Sequence, residues 1–165
     1  MTHVRAPLIA TLLLAIACGT AKPGGMSGPT LGRMTEPDAS PLESNDILRR
    51  TKTFQPVAVK HILIGWSDLE DNYSGNMDER AKQRSRFDAE DLVRRLEKRL
   101  ATGEPIEPLM IEHSGDAGTK DGIALTVTPD SNFVPRFIAL SSRLQVGEHG
   151  VVKTNFGYHL IKRVK

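Results

Sequence analysis

The stretch Val151-Val152-Lys153-Thr154-Asn155-Phe156-Gly157-Tyr158-His159-Leu160-Ile161-Lys162-Arg163-Val164 consists of two largely apolar, β-branched runs around the tight turn Asn155-Phe156-Gly157. That pattern predicts a hairpin, with Val151 to Thr154 as one strand and Tyr158 to Val164 as its partner. Far upstream, Val57-Ala58-Val59-Lys60-His61-Ile62-Leu63-Ile64 follows Pro56. It is too short and too β-branched for a typical helix, so it reads as a buried strand. The first and last of these strands each carry one histidine among apolar neighbours, His61 and His159.

Between them lie the helices. After a loop from Gly65 to Asn76, Ala81, Ala89, Leu92, Val93, Leu96 and Leu100 recur at helical spacing among charged residues, which predicts one long amphipathic helix over Asp78 to Ala101, ended by Gly103. Glu90 with Arg94 and Asp91 with Arg95 are favourable i,i+4 pairs on it. Glu104-Pro105 restarts the chain, and Ile106, Leu109 and Met110 share one face of a short helix ending near His113. Ser114 to Asp121 is loop, Gly122 to Val127 a short strand, and Phe133 to Ser141 a further helix after the turn Pro129-Asp130-Ser131-Asn132. The fold class is α+β, with about four mostly antiparallel strands and one long and two or more short helices packed on the sheet.

Upstream of this unit, Arg5 precedes a nearly continuous apolar run from Ala6 to Ala17. Twelve helical residues at ~1.5 Å each span about 18 Å, short of the ~30 Å hydrocarbon core, so residues 1–17 read as a signal segment. Ala15-Ile16-Ala17-Cys18 resembles the lipobox of bacterial lipoproteins, which implies Cys18 as the lipidated residue. Gly19 follows it, where an Asp commonly marks inner-membrane retention, and this favours the outer membrane. Residues 18–53 are Gly-, Pro- and Ser-rich with no apolar period over most of their length and read as a flexible linker. Within it, Ser40-Pro41-Leu42-Glu43 has capping-box spacing and predicts a short helix over 41–50. The globular domain is placed at 54–165.

Composition narrows the chemistry. The chain has 165 residues, 22 Lys plus Arg against 20 Asp plus Glu, and one Cys. A net charge of +2 argues against nucleic-acid binding, and a lone Cys excludes internal disulfides and Cys-pair zinc sites. Three readings of the histidines stand side by side. His61, His113, His159 and Asp116 could ligate zinc, although their spacing matches no His-x-x-x-His or His-Glu-x-x-His pattern. Ser114-Gly115-Asp116 is a turn rather than a nucleophile elbow, because Gly-x-Ser-x-Gly is absent. Finally, His61 and His159 could be hydrogen-bonded core residues in neighbouring strands, one ring orienting the other and Thr154 adding a hydroxyl.

Val59-Lys60-His61-Ile62-Leu63-Ile64, followed about ninety residues later by Val146-Gly147-Glu148 and Val152-Lys153-Thr154-Asn155-Phe156-Gly157-Tyr158-His159-Leu160-Ile161, resembles the parvulin-type peptidyl-prolyl isomerases of bacterial envelopes. The resemblance covers Val57 to Val164. It implies catalytic-site roles for His61, His159, Thr154 and Asp116, and proline-binding roles for Ile123, Phe133 and Phe137. The family's Gly-Gly-Asp-Leu-Gly run is replaced here by Lys120-Asp121-Gly122-Ile123-Ala124, which restricts the backbone there. The loop after His61 carries Asp68, Glu70 and Asp71 and no Arg pair, which argues against a preference for phosphorylated Ser/Thr-Pro. The implied function is isomerisation of X-Pro bonds in exported proteins by a monomer, with unfolded or proline-containing polypeptides as partners, a membrane contact through Cys18, and no metal or organic cofactor. A non-catalytic chaperone or peptide-binding module and a structural lipoprotein are the other readings.

Overall fold

A computed structural model describes residues 40–165 apart from Phe54 and Lys120. The signal-like segment, Cys18 and the first part of the expected linker lie outside the described residues. Four strands form one sheet: β1 (Val57–Ile64), β2 (Leu125–Val127), β3 (His149–Thr154) and β4 (Gly157–Arg163). Their order is β2-β1-β4-β3, and every neighbouring pair is antiparallel. The helices are α1 (Asn45–Leu48), α2 (Glu79–Lys82), α3 (Arg86–Ala101), α4 (Ile106–His113) and α5 (Pro135–Ser141).

Alternation along the strands sorts side chains into two cores. Ile62 and Ile64 of β1, with Val151, Tyr158 and Leu160, meet Ala89, Val93, Leu96 and Leu100 of α3 and Ile106, Leu109 and Met110 of α4. On the opposite face, Val57 and Val59 join Val152, Ile161, Ile47 of α1, and Phe137 and Leu140 of α5. His61 has the parity of Val57 and Val59, so strand periodicity alone puts it on the α5 face.

The expected long helix over Asp78 to Ala101 is two helices. Ser85 accepts the Asp88 N–H and the Asp88 carboxylate accepts the Ser85 N–H, a reciprocal cap that starts α3 afresh at Arg86. The apolar period continues across this break, which is why the pattern reads as continuous. Both expected ion pairs on α3 form, Arg94 with Glu90 and Arg95 with Asp91. Gly103 follows the helix end with φ +92, a left-handed conformation that glycine adopts freely. The strand expected from Gly122 begins only at Leu125, and the helix expected from Phe133 begins at Pro135, with Val134 extended before it.

Within the stretch read as linker, residues 40–48 are packed against the sheet and α5. β3 is an edge strand, and the segment before α1 covers its outer edge. Ser44 N–H donates to the Val151 carbonyl at 2.9 Å, and Val151 N–H donates to Ser44 Oγ at 2.9 Å. Lys153 N–H donates to Glu43 Oε1 at 3.0 Å, and Ser40 N–H to Glu43 Oε2 at 3.0 Å. Arg136 of α5 donates to the same Glu43 carboxylate and, through Nε, to the Lys153 carbonyl. Helix α1 is shorter than expected because Glu43 points into this edge and helical hydrogen bonding starts after it.

Candidate active site

Sheet register assembles the polar part of the site. Leu63 of β1 and Val152 of β3 both lie opposite His159 of β4, His61 lies opposite Ile161, and Thr154 lies opposite Gly157. His61, His159 and Thr154 therefore share one face as diagonal neighbours across three strands, close enough for their side chains to meet. The His61 and His159 rings lie 17° from parallel with their Nδ1 atoms 3.4 Å apart, and His159 Nε2 is 2.9 Å from Thr154 Oγ1. His61 Nε2 is 3.0 Å from Asp116 Oδ2. All three sheet residues are buried.

Proton positions follow from these partners. With Asp116 ionised, one arrangement satisfies every partner: His61 Nε2–H donates to the carboxylate, and His61 Nδ1 accepts from His159 Nδ1–H. His159 Nε2 then accepts from the Thr154 hydroxyl, which itself accepts the Phe156 N–H at 3.1 Å. Every donor in the line has an acceptor, and the line ends on negative charge. The hydrogen bond from His61 holds the Asp116 carboxyl below its ordinary range, against the opposing effect of burial. Burial drives the His159 imidazole down to about 3, so it stays neutral.

Asp116 is brought here by the loop after α4. Ser114 Oγ, fully buried, accepts the Leu63 N–H at 3.2 Å and the Asp116 N–H at 3.3 Å, while Gly115 N–H donates to the Leu63 carbonyl at 2.8 Å. Gly118 N–H occupies Asp116 Oδ1 at 2.9 Å. Arg80, chelated by Asp78, donates to the carbonyls of Glu112 and Ser114 and ties α2 to the same loop. Ser114, read as a turn residue, is the post on which the loop is hung.

Beside this network opens a cavity of about 250 Å³, lined by His61, Leu63, Asp116, Asn132, Phe133, Val134, Phe137, Phe156 and His159. Phe137 from α5 is buried and sets its edge against both imidazoles, with centroids at 5.0 Å from His61 and 5.4 Å from His159. Phe133 stands 5.3 Å from Phe137 at the mouth and is partly exposed. The cavity thus pairs aromatic walls with one ionised carboxylate at its edge.

Of the residues singled out from sequence, His61, His159, Thr154, Asp116, Phe133 and Phe137 come together. Ile123 does not: it is 60% exposed and is not among the cavity residues. Gly122 turns the chain with φ +69 and β2 starts two residues beyond Ile123, so the side chain stays outside. Phe156, Leu63 and Val134 complete the apolar lining instead. Phe156 was legible only as a turn residue, and its aromatic character in an Asn-x-Gly turn is the one signal pointing to it. His113 takes Glu112 and Arg99 as partners, and His149 opens β3; neither joins the site. Among the described residues no three His, Cys, Asp or Glu side chains gather as metal ligands, so the four-residue zinc set does not assemble.

Comparison with known proteins adds an independent line. Residues 45–165 match the family model described as the PPIC-type PPIase domain. The chain is 35% identical over 106 residues to the chaperone SurA of Chromohalobacter salexigens, covering 63% of this chain and 21% of that protein. It is 32% identical over 132 residues to the foldase protein PrsA of Clostridium kluyveri, covering 72% of this chain and 39% of that protein. The chain therefore spans well under half the length of these two relatives. Among solved structures, the peptidyl-prolyl isomerase ESS1 of Candida albicans superposes with a TM-score of 0.56 at 22% identity, over 67% of this chain and 63% of that one, a likeness of fold.

Proposed function

Because the chain belongs to the PPIC-type PPIase domain family, we propose that it is a peptidyl-prolyl cis-trans isomerase acting on exported, incompletely folded polypeptides. The observation that carries this reading is the apolar aromatic cavity bordered by a single ionised carboxylate, which is itself held by the His61–His159–Thr154 line. Isomerisation makes and breaks no bond; its barrier of ~18–20 kcal/mol is the amide resonance lost as the C–N bond twists. A thousandfold acceleration needs only about 4 kcal/mol of preferential binding to the twisted form.

Phe133, Phe137 and Phe156 hold the pyrrolidine ring, and the buried Phe137 set against the imidazoles excludes water, which favours the less polarised, twisted amide. The Asp116 carboxylate beside the substrate carbonyl disfavours the resonance form that places negative charge on that oxygen. His61, His159 and Thr154 orient Asp116 and the pocket wall rather than exchange protons with substrate. Uncatalysed X-Pro isomerisation takes tens to hundreds of seconds and can limit folding, so newly exported chains are natural clients.

The test is exchange NMR on short Ala-Xaa-Pro peptides with the full chain and an Asp116→Ala/Phe137→Ala double variant. Accelerated exchange that is lost in the folded double variant is the expected result. Peptide shifts without acceleration would make this a non-catalytic binding module, and no shifts at all would reduce it to a structural domain.

The envelope location belongs to the same proposal: Cys18 carries a lipid, and the domain faces the periplasm from the outer membrane. Support comes from the apolar run ending in Ala15-Ile16-Ala17-Cys18 and from Gly19 in place of Asp. Cells fed labelled palmitate should label the chain and not a Cys18→Ser variant, with the label in the outer-membrane fraction. An unlabelled parent chain would remove the anchor from the reading.

A further inference from the structure

Phe156 sits in the two-residue turn between β3 and β4, where strand pairing holds neither of its backbone groups, yet its side chain forms a wall of the cavity. Its peptide is gripped from both sides. The N–H donates to Thr154 Oγ1, part of the histidine line, and the carbonyl accepts a hydrogen bond from the Tyr73 hydroxyl. Tyr73 closes a 3-10 segment, Ser67–Tyr73, and its ring meets the Phe156 ring edge-on, with centroids 5.4 Å apart and planes at 84°. The chain reverses immediately beyond it, with Ser74 and Gly75 at φ 49 and 84.

Gly65 clears the space for this contact, and Gly157 lets the turn lie close against β1. A Cβ on Gly65 would lie 2.6 Å from the Tyr73 hydroxyl and 3.3 Å from the Phe156 carbonyl, and one on Gly157 would run into the Ile64 carbonyl. Burial pushes the Tyr73 phenol up to about 12, with the charges of Asp116 and Asp78 adding to the rise, so the hydroxyl keeps its proton and remains a donor.

We propose that Tyr73 is a positioning residue of the isomerase site, setting through the Phe156 carbonyl the aromatic wall that the bound proline meets. The proposal rests on the isomerase reading above. Since Phe156 touches the ring in planar and twisted states alike, loosening it weakens binding of both, which raises KM and leaves kcat in place.

The experiment measures kcat and KM by exchange NMR over a peptide concentration series for the full chain, Tyr73→Phe, Phe156→Leu and the double variant. Tyr73→Phe keeps the ring contact and removes one hydrogen bond, so KM should rise about threefold to tenfold. The kcat value should stay within about twofold. In the Phe156→Leu background the same change should add nothing further, because the ring it positions is gone. Gly65→Ala, which crowds the same hydroxyl, should reproduce the KM rise and decides the matter should Tyr73→Phe fail to fold. An unchanged KM, a loss confined to kcat, or effects that multiply in the double variant would overturn the role of Tyr73 while leaving the isomerase intact. A parent chain that accelerates no peptide would instead overturn the isomerase reading and this inference with it.

Discussion

His159 packs against Phe137, His61 and Thr154 with almost none of its surface reaching solvent, and the loss of hydration pushes its imidazole down to about 3, with His61 adding to the depression. An unfolded histidine titrates near ~6.5. As pH falls from about 6.5 towards 3, the unfolded chain binds a proton that the native site refuses, so stability contributed by this residue is present above pH 6.5 and drains away below it. The loss between pH 8 and pH 5 is about 2 kcal/mol. His113 and His149 are also lowered by burial and contribute in the same direction, so the difference between the parent and His159→Gln isolates the residue. Urea unfolding at the two pH values should show a steeper decline for the parent; equal slopes would refute the buried neutral ring. At this scale the strand parity of His61 and His159 was readable because period-2 alternation is local. Ile123 was misread because its place depends on where β2 begins, which the Gly122 turn and the pairing with β1 decide together.

Among the elements, the covering of the β3 edge by residues 40–44 is the least expected from sequence. A Gly/Pro-rich stretch lacks the apolar repeat that marks packed structure, and its contribution here is polar. Burial pushes the Glu43 carboxyl up, yet the N–H groups of Lys153 and Ser40 and the Arg136 guanidinium together pull it below its ordinary value. Its side chain is fully inaccessible, so Glu43→Ala leaves Arg136 and the Lys153 N–H facing a buried gap. The expected cost is about 3–5 kcal/mol, read as a fall in the urea midpoint at pH 7. A loss below about 1 kcal/mol would show that the strap is dispensable. The net contribution of the pair falls away in acid as the carboxyl is protonated below its unfolded pKa. Arg136 adjoins Phe137 on α5 and bonds the carbonyl preceding Thr154, so the same variant should loosen the pocket wall as well. The split between α2 and α3 has a similar lesson: Ser85 with Asp88 is a readable cap, outweighed in the reading by an apolar period that continues through it.

For the molecule as a whole, strand types, helix faces and the α+β class were legible because each rests on spacing along the chain. The hairpin and the first strand, with their histidines, determined the family resemblance, and the family match over residues 45–165 agrees with it. That resemblance in turn pointed to six side chains that the fold brings together, and local composition showed the acidic, arginine-free loop after β1. Only the tertiary structure decided that the first and last strands pair at the centre of the sheet, with a two-residue diagonal offset that turns two histidines and a threonine into one hydrogen-bonded line. It also decided that Phe156 rather than Ile123 lines the cavity and that Tyr73 holds it there. The physical reason is separation along the chain: periodicity reports which face a residue occupies, whereas contacts between Tyr73 and Phe156, or Glu43 and Lys153, depend on register and loop path that no local pattern encodes.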